Sequence, residues 1–460
     1  MVEQQIHTTL QFELATGKVN LNEIVYRLQE LKNPLMLLVL QKILLNYDDL
    51  IAQRLSHHGG VMPPSKIRKG LGRHVRKGDP KGRYCHGRRI KKRGYRSHPR
   101  RFSTVLGNLD LPIRVAECCT CGARYSPLLS ALKVSPYVRK EANLEHQVIE
   151  AVIDTNYRRL IEGHSIDISL GGVHNIVVGS DIDQHDEVPI DLDNLSAIMA
   201  DGTGVKQQKG KKGELRAVIG VTTDGKVEPL GTFANTKWDQ IERVIKERIK
   251  HTKASGIPFI YDGEPGLDDF LSEVTEIQRC TWHGPRGLYH SLWEDGLKKK
   301  DSQPQIDKLK HLIGIELPRT DYELLKKEDK QTVQNQYESS KTEIKDLINI
   351  FKEKGYHHGA AYLENLTQRL FTHIEIWLRT GVIAPKTTSL LERIFREIGR
   401  RIKRIAWGWS DSAVSKLSKM IILKKYSKEK WQQYWKSKLG IEGNFSIQIS
   451  QVEICPCPHF

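Results

Sequence analysis

The order of short apolar runs between residues 197 and 296 limits the fold more than any other feature of this 460-residue chain. Three such runs come first, and Asp224-Gly225, a dipeptide typical of hairpin turns, joins the second to the third. An amphipathic helix, two further apolar runs and another helix follow. The predicted strands are 197–200, 216–221, 227–233, 258–261 and 277–281, and the predicted helices are 238–253 and one from about residue 283. This alternation predicts a mixed α/β sheet.

Two acidic residues occupy matching places in this pattern. Asp201 follows the first apolar run, Asp262 follows the fourth, and each comes directly before a glycine. A carboxylate at a strand end projects from the sheet edge, and the glycine lets backbone and ligand approach closely. Two such carboxylates on neighbouring strands can share Mg²⁺, although Asp-Gly is also common in plain turns. A two-metal site would need a third acid.

The segments on either side of the sheet have their own patterns. Residues 20–55 carry apolar side chains at helical spacing and predict two helices separated near Asn33-Pro34. Residues 102–115 alternate as a hairpin does, with the turn at Gly107-Asn108. The stretch 297–385 is charged and helical throughout, and helices resume from 388 to 404 and again towards the end.

Positive charge is concentrated in one block. The formal net charge is +17, and residues 66–101 carry sixteen lysines and arginines against the single acid Asp79, so this block supplies all but two of the net charges. Such a block suits binding to a phosphate backbone by counterion release, and aromatic and flexible positions among the charges suit a groove. A solvated, disordered arm or an RNA-coating tail remains open. The candidate DNA-binding residues here are Arg88, Arg89, Lys91, Lys92 and Arg93.

Cysteines point to a reducing compartment and to one candidate zinc site. Seven cysteines in a long chain argue against a disulfide framework. Cys118 and Cys121, followed by Gly122, have the spacing of a zinc knuckle, and the alternative is a pair of half-buried thiols at a strand end. No spacing rule chooses between the candidate partners, which are Cys85 and His86, or Cys455, Cys457 and His459.

A helix-turn-helix is one interpretation of residues 141–181. A first amphipathic segment ends at Gly163, and Ser169 is placed to cap a second short helix. Such a pair would recognise a DNA end, while two ordinary core helices are the alternative. The second helix begins with Gly171 and Gly172, which weakens the first interpretation.

No apolar run is long enough to cross a bilayer, and the N-terminus lacks the plan of a secretion signal. The expectation is therefore a cytoplasmic protein without a membrane partner.

Four motifs, in this order, are similar to those of a known enzyme family. They are Asp201-Gly202-Thr203-Gly204, Tyr261-Asp262-Gly263, Arg279-Cys280-Thr281-Trp282-His283, and Thr387-Thr388-Ser389-Leu390-Leu391-Glu392-Arg393 followed by Arg400-Arg401. From about 190 to 410 the chain resembles the DDE transposases of bacterial insertion sequences related to the eukaryotic Mutator group. The motifs match that family's first Asp, its second Asp, its Cys-x-x-His signature and its helical Glu, which follows an all-helical insertion.

The resemblance implies a ribonuclease-H-like catalytic core with a mixed α/β sheet, an all-α insertion, and an α-rich, basic N-terminal DNA-binding region. It implies that Asp201, Asp262 and Glu392 hold two Mg²⁺ or Mn²⁺ ions, with Cys280 and His283 as supports beside them. Water would cut the transposon end, and the freed 3′ hydroxyl would attack target DNA. A homodimer is expected because two ends are joined, and the protein would associate with the nucleoid.

Glu392 also has a local argument. Leu391, Phe395 and Ile398 form a buried stripe on its predicted helix. The basic residues expected to meet DNA phosphate are Arg393, Arg396, Arg400 and Arg401. The rival acids are Glu397 and Glu375, and each has an ordinary helical partner four positions on, Arg401 and Arg379 respectively.

Three tryptophans, Trp282, Trp407 and Trp409, are candidates for stacking on a base, although indole rings are more often core residues.

The predicted organisation has six parts. They are a helical region 1–60, a basic arm with hairpin and CxxC 61–125, a helix-turn-helix-like region 126–185, the first part of the core 186–296, the helical insertion 297–385, and core completion with C-terminal helices 386–460. Two alternative functions remain open: a domesticated DNA-binding protein that no longer cuts, and a ribonuclease-H-like nuclease without strand transfer.

Removal of residues 66–101 is expected to weaken binding to DNA of every sequence and to flatten its salt dependence, because phosphate contacts release counterions. The measurement is the equilibrium affinity for a transposon end and for unrelated DNA over a salt series. Loss of affinity for the end alone would instead make this segment a sequence reader.

Overall fold

The computed structural model describes residues 21–57, 77–81, 90–132, 134, 137–163, 168–182, 189–206, 212–249, 256–319, 322–403 and 409–440. The chain divides into two compact units, the first comprising the described residues up to Val173 and from Lys438 onwards, and the second His174–Ser437. No described helix combines the length and the apolar character needed to cross a membrane.

The first unit combines helices with small antiparallel sheets. Its elements are α1 (Leu21–His57), β1 (Ile90–Tyr95), β2 (Arg100–Thr104), β3 (Gly107–Leu111), β4 (Arg114–Cys118), β5 (Arg124–Tyr125), α2 (Pro127–Ala131), α3 (Ala142–Asp154) and α4 (Tyr157–Gly163). Strands β1, β4 and β5 form one sheet in that order, and β2 pairs with β3. Ile51 of α1, Leu109 and Leu111 of β3, Ile113 and Leu128 share its core. Helix α5 (Leu170–Val178) crosses the division between the units.

Two local expectations for this unit are wrong. Helix α1 continues through Pro34 instead of ending there. A proline removes one helical hydrogen bond, but the apolar residues after it, such as Leu37 and Leu44, pack on the same core as Ile51 and keep the helix continuous. The hairpin turn lies at residues 105–106, because Thr104 pairs with Gly107 and its hydroxyl binds both Gly107 O and Leu106 N.

The described residues of the segment 141–181 are mainly helical, as expected, and form three helices. Two helices replace the single helix expected before Gly163, because α3 ends at Asp154, with Thr155 as its C-cap, and α4 begins at Tyr157. Ser169 caps α5, since its hydroxyl accepts from Gly172 N at 3.1 Å. The link 164–167 lies outside the described residues, so the helix-turn-helix stays a prediction.

The second unit contains the larger sheet and most helices of the described chain. Its elements are β6 (Leu195–Lys206), β7 (Lys212–Thr222), β8 (Val227–Ala234), α6 (Trp238–Arg248), β9 (Ile257–Tyr261), β10 (Thr275–Arg279), α7 (His283–Glu294), α8 (Lys299–Leu312), α9 (Lys327–Glu353), α10 (His357–Thr367), α11 (Thr372–Thr380), α12 (Ser389–Ile402), α13 (Asp411–Tyr426) and α14 (Lys428–Leu439), the last of which extends past Ser437.

The sheet of the second unit is mixed, as the sequence predicts. Its strand order is β10-β9-β6-β7-β8, with β10, β9 and β6 parallel and β6, β7 and β8 antiparallel. The hairpin between β7 and β8 turns at Asp224-Gly225, where Gly225 has φ +79°. Such a φ favours glycine, which is why this dipeptide marked the turn in the sequence.

The two faces of the sheet are covered by different helices. Ile198 and Ala200 of β6 share a core with Trp238 and Ile241 of α6. Side chains alternate along a strand, so the residues between them face the other side. That side lies under α12, because Lys403 at the end of α12 donates from Nζ to Thr203 Oγ1 of β6 at 2.8 Å.

Residues 299–380 are mainly helical and form a core of their own, which includes Leu309, Ile344, Leu363 and Trp377. The turn between α10 and α11 is bonded to the edge strand β10. Arg279 N donates to Arg369 O at 2.7 Å, and Thr372 Oγ1 donates to Ile277 O at 2.6 Å. The exposed hydrogen-bonding groups of an edge strand are thereby satisfied by the helical segment.

Gln278 and His373 complete this junction inside the protein. Gln278 is fully buried, donates from Nε2 to Leu370 O at 2.7 Å, and accepts from the backbone N of His373 at 2.8 Å. The His373 ring, 1% exposed, lies with Nδ1 3.0 Å from Gln278 Oε1. Burial, together with the charge of Lys386, lowers the pKa of His373 to about 3. The ring is therefore neutral at physiological pH.

This pKa predicts acid sensitivity. His373 binds a proton less readily in the folded than in the unfolded chain, so it contributes stability above pH 6.5 that is lost as pH falls towards 3. At pH 5 the loss amounts to about 2 kcal/mol. The measurement is urea unfolding at pH 7 and pH 5. His373→Gln is expected to show a smaller loss than the wild type, whereas His357→Gln, an exposed control, keeps the wild-type pH dependence.

Candidate active site

Asp201 and Asp262 lie side by side on the sheet. The parallel register pairs Ile198 with Phe259 and Met199 with Ile260, and continuing it by two residues brings Asp201 opposite Asp262. Neighbouring strands are about 4.8 Å apart, and residues in register on parallel strands point to the same face. Both carboxylates therefore lie on the face that α12 covers.

The expectation that the first strand ends at Asp201 is wrong. Strand β6 continues to Lys206 and pairs with β7 over its whole length, so what ends here is the parallel ladder with β9. Asp262 does follow the end of its strand. Gly263 then takes φ +109°, which favours glycine, and a Cβ there would lie 1.9 Å from Arg279 Nη2 and displace that guanidinium.

The environment of Asp201 disfavours its charge. Burial raises the pKa of Asp201 to about 7, and repulsion by Asp262 adds to that effect. One oxygen of each carboxylate is held by the backbone: Asp201 Oδ1 accepts from Gly202 N at 2.7 Å, and Asp262 Oδ1 accepts from Glu264 N at 2.8 Å. Two carboxylates are therefore positioned together with a shortage of positive charge.

Glu392 lies on α12, whose inner face is buried as the apolar stripe predicts. Leu391, Phe395 and Ile398 are all under 9% exposed. Glu392 itself is half-buried, and its Oε1 lies 3.6 Å from His283 Nε2 at the start of α7. The helix thus brings the third acid into contact with the Cys-x-x-His motif.

Cys280 connects this motif to the start of α12. Its Sγ lies 3.3 Å from His283 Nδ1 and accepts from Thr388 N at 3.4 Å and from Thr388 Oγ1 at 3.5 Å. Burial raises the pKa of the Cys280 thiol, but the hydrogen bonds from His283 and Thr388 outweigh it and leave the pKa below its ordinary value. Thr388 directly precedes the helix that carries Glu392 and is fully buried. No sequence pattern pointed to a role for it.

His283 interacts with all three acids. The hydrogen bond with Cys280 raises the pKa of His283 most, and the charges of Asp262 and Glu392 raise it further. His283 in turn lowers the pKa of Asp201, against the effect of burial. All three acids therefore act electrostatically on this imidazole, and Glu392 is the one of the three in contact with it, so the supporting role of His283 stays a prediction.

Glu264 is a further acid at this place that the sequence analysis missed. Its charge raises the pKa of Asp201, and its Oε1 accepts from Arg216 Nη2 at 3.0 Å. Arg216 also pairs with Glu214 at 2.8 Å and stacks on Trp238 with its guanidinium carbon 4.9 Å from the ring centre. The spacing Asp262-x-Glu264 was the available signal, because alternate residues in extended chain after a strand can project on the same face of the sheet.

The rival acids have other partners. Glu397 pairs with Arg400 at 2.6 Å and with Lys425 at 3.0 Å, not with Arg401. Glu375 accepts from Tyr337 and lies 3.9 Å from Lys341, whereas Arg379 pairs with Glu276. Both acids are therefore paired away from Asp201 and Asp262, and Glu392 stays the predicted third acid.

The residues expected to contact DNA have different exposures. Lys91 and Lys92 are exposed on β1, and Arg93 beside them is paired with Glu117 at 3.0 Å. Removal of 66–101 would also remove β1, so replacing its exposed lysines is the cleaner form of that test. Arg88 and Arg89 lie outside the described residues.

On α12, Arg396 and Arg400 are exposed, and Arg400 pairs with Glu397. Arg401 is 7% exposed, because it lies on the inner face of the helix with Ile394 and Ile398. Residues three and seven positions apart lie on one face of a helix. Arg401 is therefore too buried, as the structure has it, for the expected contact with a DNA phosphate.

Cys118 and Cys121 lie at the end of β4 and in the turn after it. Cys118 is buried, Gly122 N donates to Cys118 O at 2.7 Å, and Gly122 takes φ +66°. The candidate partners Cys85, His86, Cys455, Cys457 and His459 lie outside the described residues, so the zinc knuckle stays a prediction.

Divalent metal suits the chemistry of the aspartate pair. Within the described ranges, no three His, Cys, Asp or Glu side chains converge closely enough to ligate one ion. Mg²⁺, however, is commonly bound by one or two carboxylates together with water and phosphate oxygens. Asp201 and Asp262 form such a pair, and the pKa of Asp201 is raised by burial first and by repulsion from Asp262 second, the second of which a cation would relieve.

Comparison with known proteins adds little. No protein-family model and no curated protein matches the chain. Among solved structures, the chain is similar to the Drosophila P element transposase strand transfer complex, at 10% sequence identity, over 65% of this chain and 81% of that chain, with a TM-score of 0.23. At that TM-score no argument about fold or function rests on the similarity.

The adjacency of the two aspartates predicts a specific titration. In Asp262→Asn, the pKa of Asp201 is expected to fall from about 7 towards its ordinary value, because a neighbouring negative charge is removed while burial remains. The measurement is NMR of ¹³C-carboxyl-labelled aspartate, with the signal assigned by its loss in Asp201→Asn. Asp269→Asn, an exposed neighbour, is the control. An unchanged Asp201 titration in Asp262→Asn would contradict the adjacency.

Proposed function

We propose that the protein is a DDE-type DNA transposase of the bacterial insertion-sequence kind, which cuts transposon ends and joins them to target DNA. The observation that carries the proposal is the shared register of Asp201 and Asp262, on the sheet face under the helix of Glu392. In support, Glu392 contacts His283, and the same imidazole is under the influence of the charges of Asp201 and Asp262. The mixed sheet supports a ribonuclease-H-like core: β6, β7 and β8 are antiparallel, and β9 and β10 run parallel to β6.

Asp201, Asp262 and Glu392 would hold two Mg²⁺ or Mn²⁺ ions. When bound, such ions neutralise the phosphate and lower the pKa of a coordinated water. Asp201 and Asp262 supply oxygens on a rigid sheet, and the backbone amides of Gly202 and Glu264 fix their orientation. Glu392 would complete the set by turning from His283, with which it is already in contact.

The remaining groups hold this arrangement in place. Cys280 and Thr388 fix the start of α12 against the turn that follows β10, and His283 Nε2 faces Glu392 Oε1 at 3.6 Å. Phosphodiester cleavage and strand transfer are both in-line displacements at phosphorus, which need positioning and charge neutralisation instead of a protein nucleophile. A set of carboxylates is suited to that chemistry, and Cys280, although its thiol pKa is lowered, is 1% exposed and is therefore poorly placed to attack a substrate.

DNA is the proposed partner. The block 66–101 supplies most of the net positive charge, and Lys91 and Lys92 expose their side chains from it. Joining two ends in one event requires two active sites, so a homodimer acting on DNA in the cytoplasm at the nucleoid is part of the proposal.

The test is cleavage of DNA that carries the gene's flanking sequences by the full chain in Mg²⁺ or Mn²⁺. Asp201→Asn, Asp262→Asn and Glu392→Gln are each expected to lower cleavage by more than about 100-fold while DNA binding is retained, because they remove metal ligands and not phosphate contacts. Glu397→Gln, on the same helix but paired with Arg400 and Lys425, is the control and is expected to cut normally.

Two outcomes would count against the proposal. Wild-type cleavage by Asp201→Asn would remove the catalytic assignment altogether. Cleavage that depends on all three acids but never yields joined products would support a nuclease without strand transfer.

A further inference from the structure

A buried arginine lies against the turn that carries Asp262. Arg279 is the last residue of β10, is 8% exposed, and pairs in parallel register with Tyr261, the last residue of β9. Among the described residues, no carboxylate is close enough to form an ion pair with it, and its buried Nε has no hydrogen-bond partner. A cation is costly to bury unless other polar groups hold it, so its remaining contacts indicate why it is there.

The guanidinium packs on the backbone of this turn. Arg279 Nη2 donates to Asp262 O at 3.3 Å. A Cβ at Gly263 would lie 1.9 Å from the same nitrogen and 2.3 Å from the guanidinium carbon, so the missing side chain of Gly263 makes the space that Arg279 fills. The carbonyl of Asp262 is thus bonded to Arg279, while its carboxylate accepts from Glu264 N at 2.8 Å within the same turn.

Arg279 is itself held by the strand and helices around it. Its N donates to Arg369 O at 2.7 Å, and its guanidinium carbon lies 5.1 Å from the centre of the Tyr261 ring. Burial raises the pKa of Tyr362 on α10, and the nearby charge of Arg279 opposes that rise. Tyr362 is fixed in turn, because its hydroxyl donates to Gly284 O at 2.9 Å. The arginine is therefore a rigid support.

The turn needs such a support because it lies beyond the sheet. Strand β9 ends at Tyr261, and its parallel ladder with β6 is formed by Phe259 and Ile260. Asp262 follows these pairs and takes its position from contacts outside the ladder. Loss of the bond from Arg279 would let the turn shift, and the Asp262 carboxylate would shift with it.

We propose that Arg279 is a positioning residue, which holds the turn so that the Asp262 carboxylate stays opposite Asp201. At 8% exposure the guanidinium acts through the protein and not by contact with a DNA phosphate. The inference rests on the proposed function for the reaction that uses this geometry. The contact between Arg279 and the turn needs neither metal nor DNA.

Support of the turn and a purely electrostatic effect predict opposite changes in metal binding. If Arg279 acted only as a nearby positive charge, its removal would tighten the binding of Mn²⁺, because like charges repel. If it holds Asp262, its removal weakens that binding, because the two carboxylates no longer face one ion.

The first experiment is hydrogen–deuterium exchange of the full chain, without metal or DNA, measured on peptides that cover residues 262–266. Arg279→Gln is expected to exchange faster there than the wild type, because the Glu264 amide is protected by its bond to Asp262 Oδ1. Arg379→Gln is the matched control and is expected to exchange like the wild type, because Arg379 pairs with Glu276 in the first half of the same strand.

Chemical rescue separates a specific support from a general loss of packing. In Arg279→Ala, millimolar guanidinium ion can enter the space of the missing side chain and is expected to restore slow exchange in residues 262–266. Sodium chloride of the same ionic strength is expected to have no such effect, and guanidinium is expected to leave the wild type unchanged. Arg279→Lys keeps the charge but not the planar fork, so partial protection is expected.

The second experiment uses the cleavage assay and DNA-free Mn²⁺ binding, measured from the electron paramagnetic resonance of the free ion. Arg279→Gln is expected to lower kcat about 10- to 100-fold with little change in the KM for DNA, as is usual when a residue that orients a metal ligand is lost. It is also expected to bind Mn²⁺ more weakly than the wild type.

Five results would overturn the proposal. Three concern exchange: no change in Arg279→Gln, an equal change in Arg379→Gln, or no restoration of Arg279→Ala by guanidinium. Tighter Mn²⁺ binding by Arg279→Gln would leave an electrostatic role, and a raised KM for DNA with normal kcat would assign Arg279 to a phosphate contact. Failure of the proposed function is distinguishable, because a chain that cuts no DNA would still show by exchange whether Arg279 holds the turn.

Discussion

The candidate active site depends on a sheet that holds two carboxylates side by side. Asp201 and Asp262 stand opposite each other where the parallel ladder of β6 and β9 ends, and their mutual repulsion adds to the cost of burying Asp201. Such an arrangement persists only when the surrounding fold is rigid enough to impose it. Strand β9 is buried along its whole length, and α6 packs Trp238 and Ile241 under the same strands, so the sheet supplies that rigidity. Perturbed carboxylates held on a rigid framework are a frequent property of functional sites.

The helix that carries Glu392 is brought to this face by a few specific contacts. Cys280 accepts from Thr388 at the start of α12, and Lys403 at its other end donates to Thr203 of β6. The helical segment before α12 is itself bonded to β10 through Gln278 and the turn between α10 and α11. The helical segment between β10 and α12 therefore begins and ends at the edge of the sheet. Glu392, on α12, lies beside His283 as a result.

Local patterns predicted much of this arrangement. The hairpin at Asp224-Gly225, the buried stripe beside Glu392 and the strands before the two aspartates were all visible in the sequence, because each depends on residues a few positions apart. Predictions failed where a distant partner decided the outcome. Packing against the first unit's core carries α1 through Pro34, and pairing with β7 extends β6 beyond Asp201. Glu264 was missed although the spacing Asp262-x-Glu264 offered a signal, because its effect on Asp201 depends on the pairing of two strands.

The sequence by itself determined the alternation of strands and helices, the placing of Asp201 and Asp262 before glycines, and the concentration of charge in residues 66–101. Only the tertiary structure decided the register that brings the two aspartates together, the contact of Glu392 with His283, and the packing of Arg279 against Gly263. The physical reason is that turn chemistry and periodicity act within a few residues. Register and helix docking depend instead on contacts such as Thr388 with Cys280, which join residues 108 positions apart.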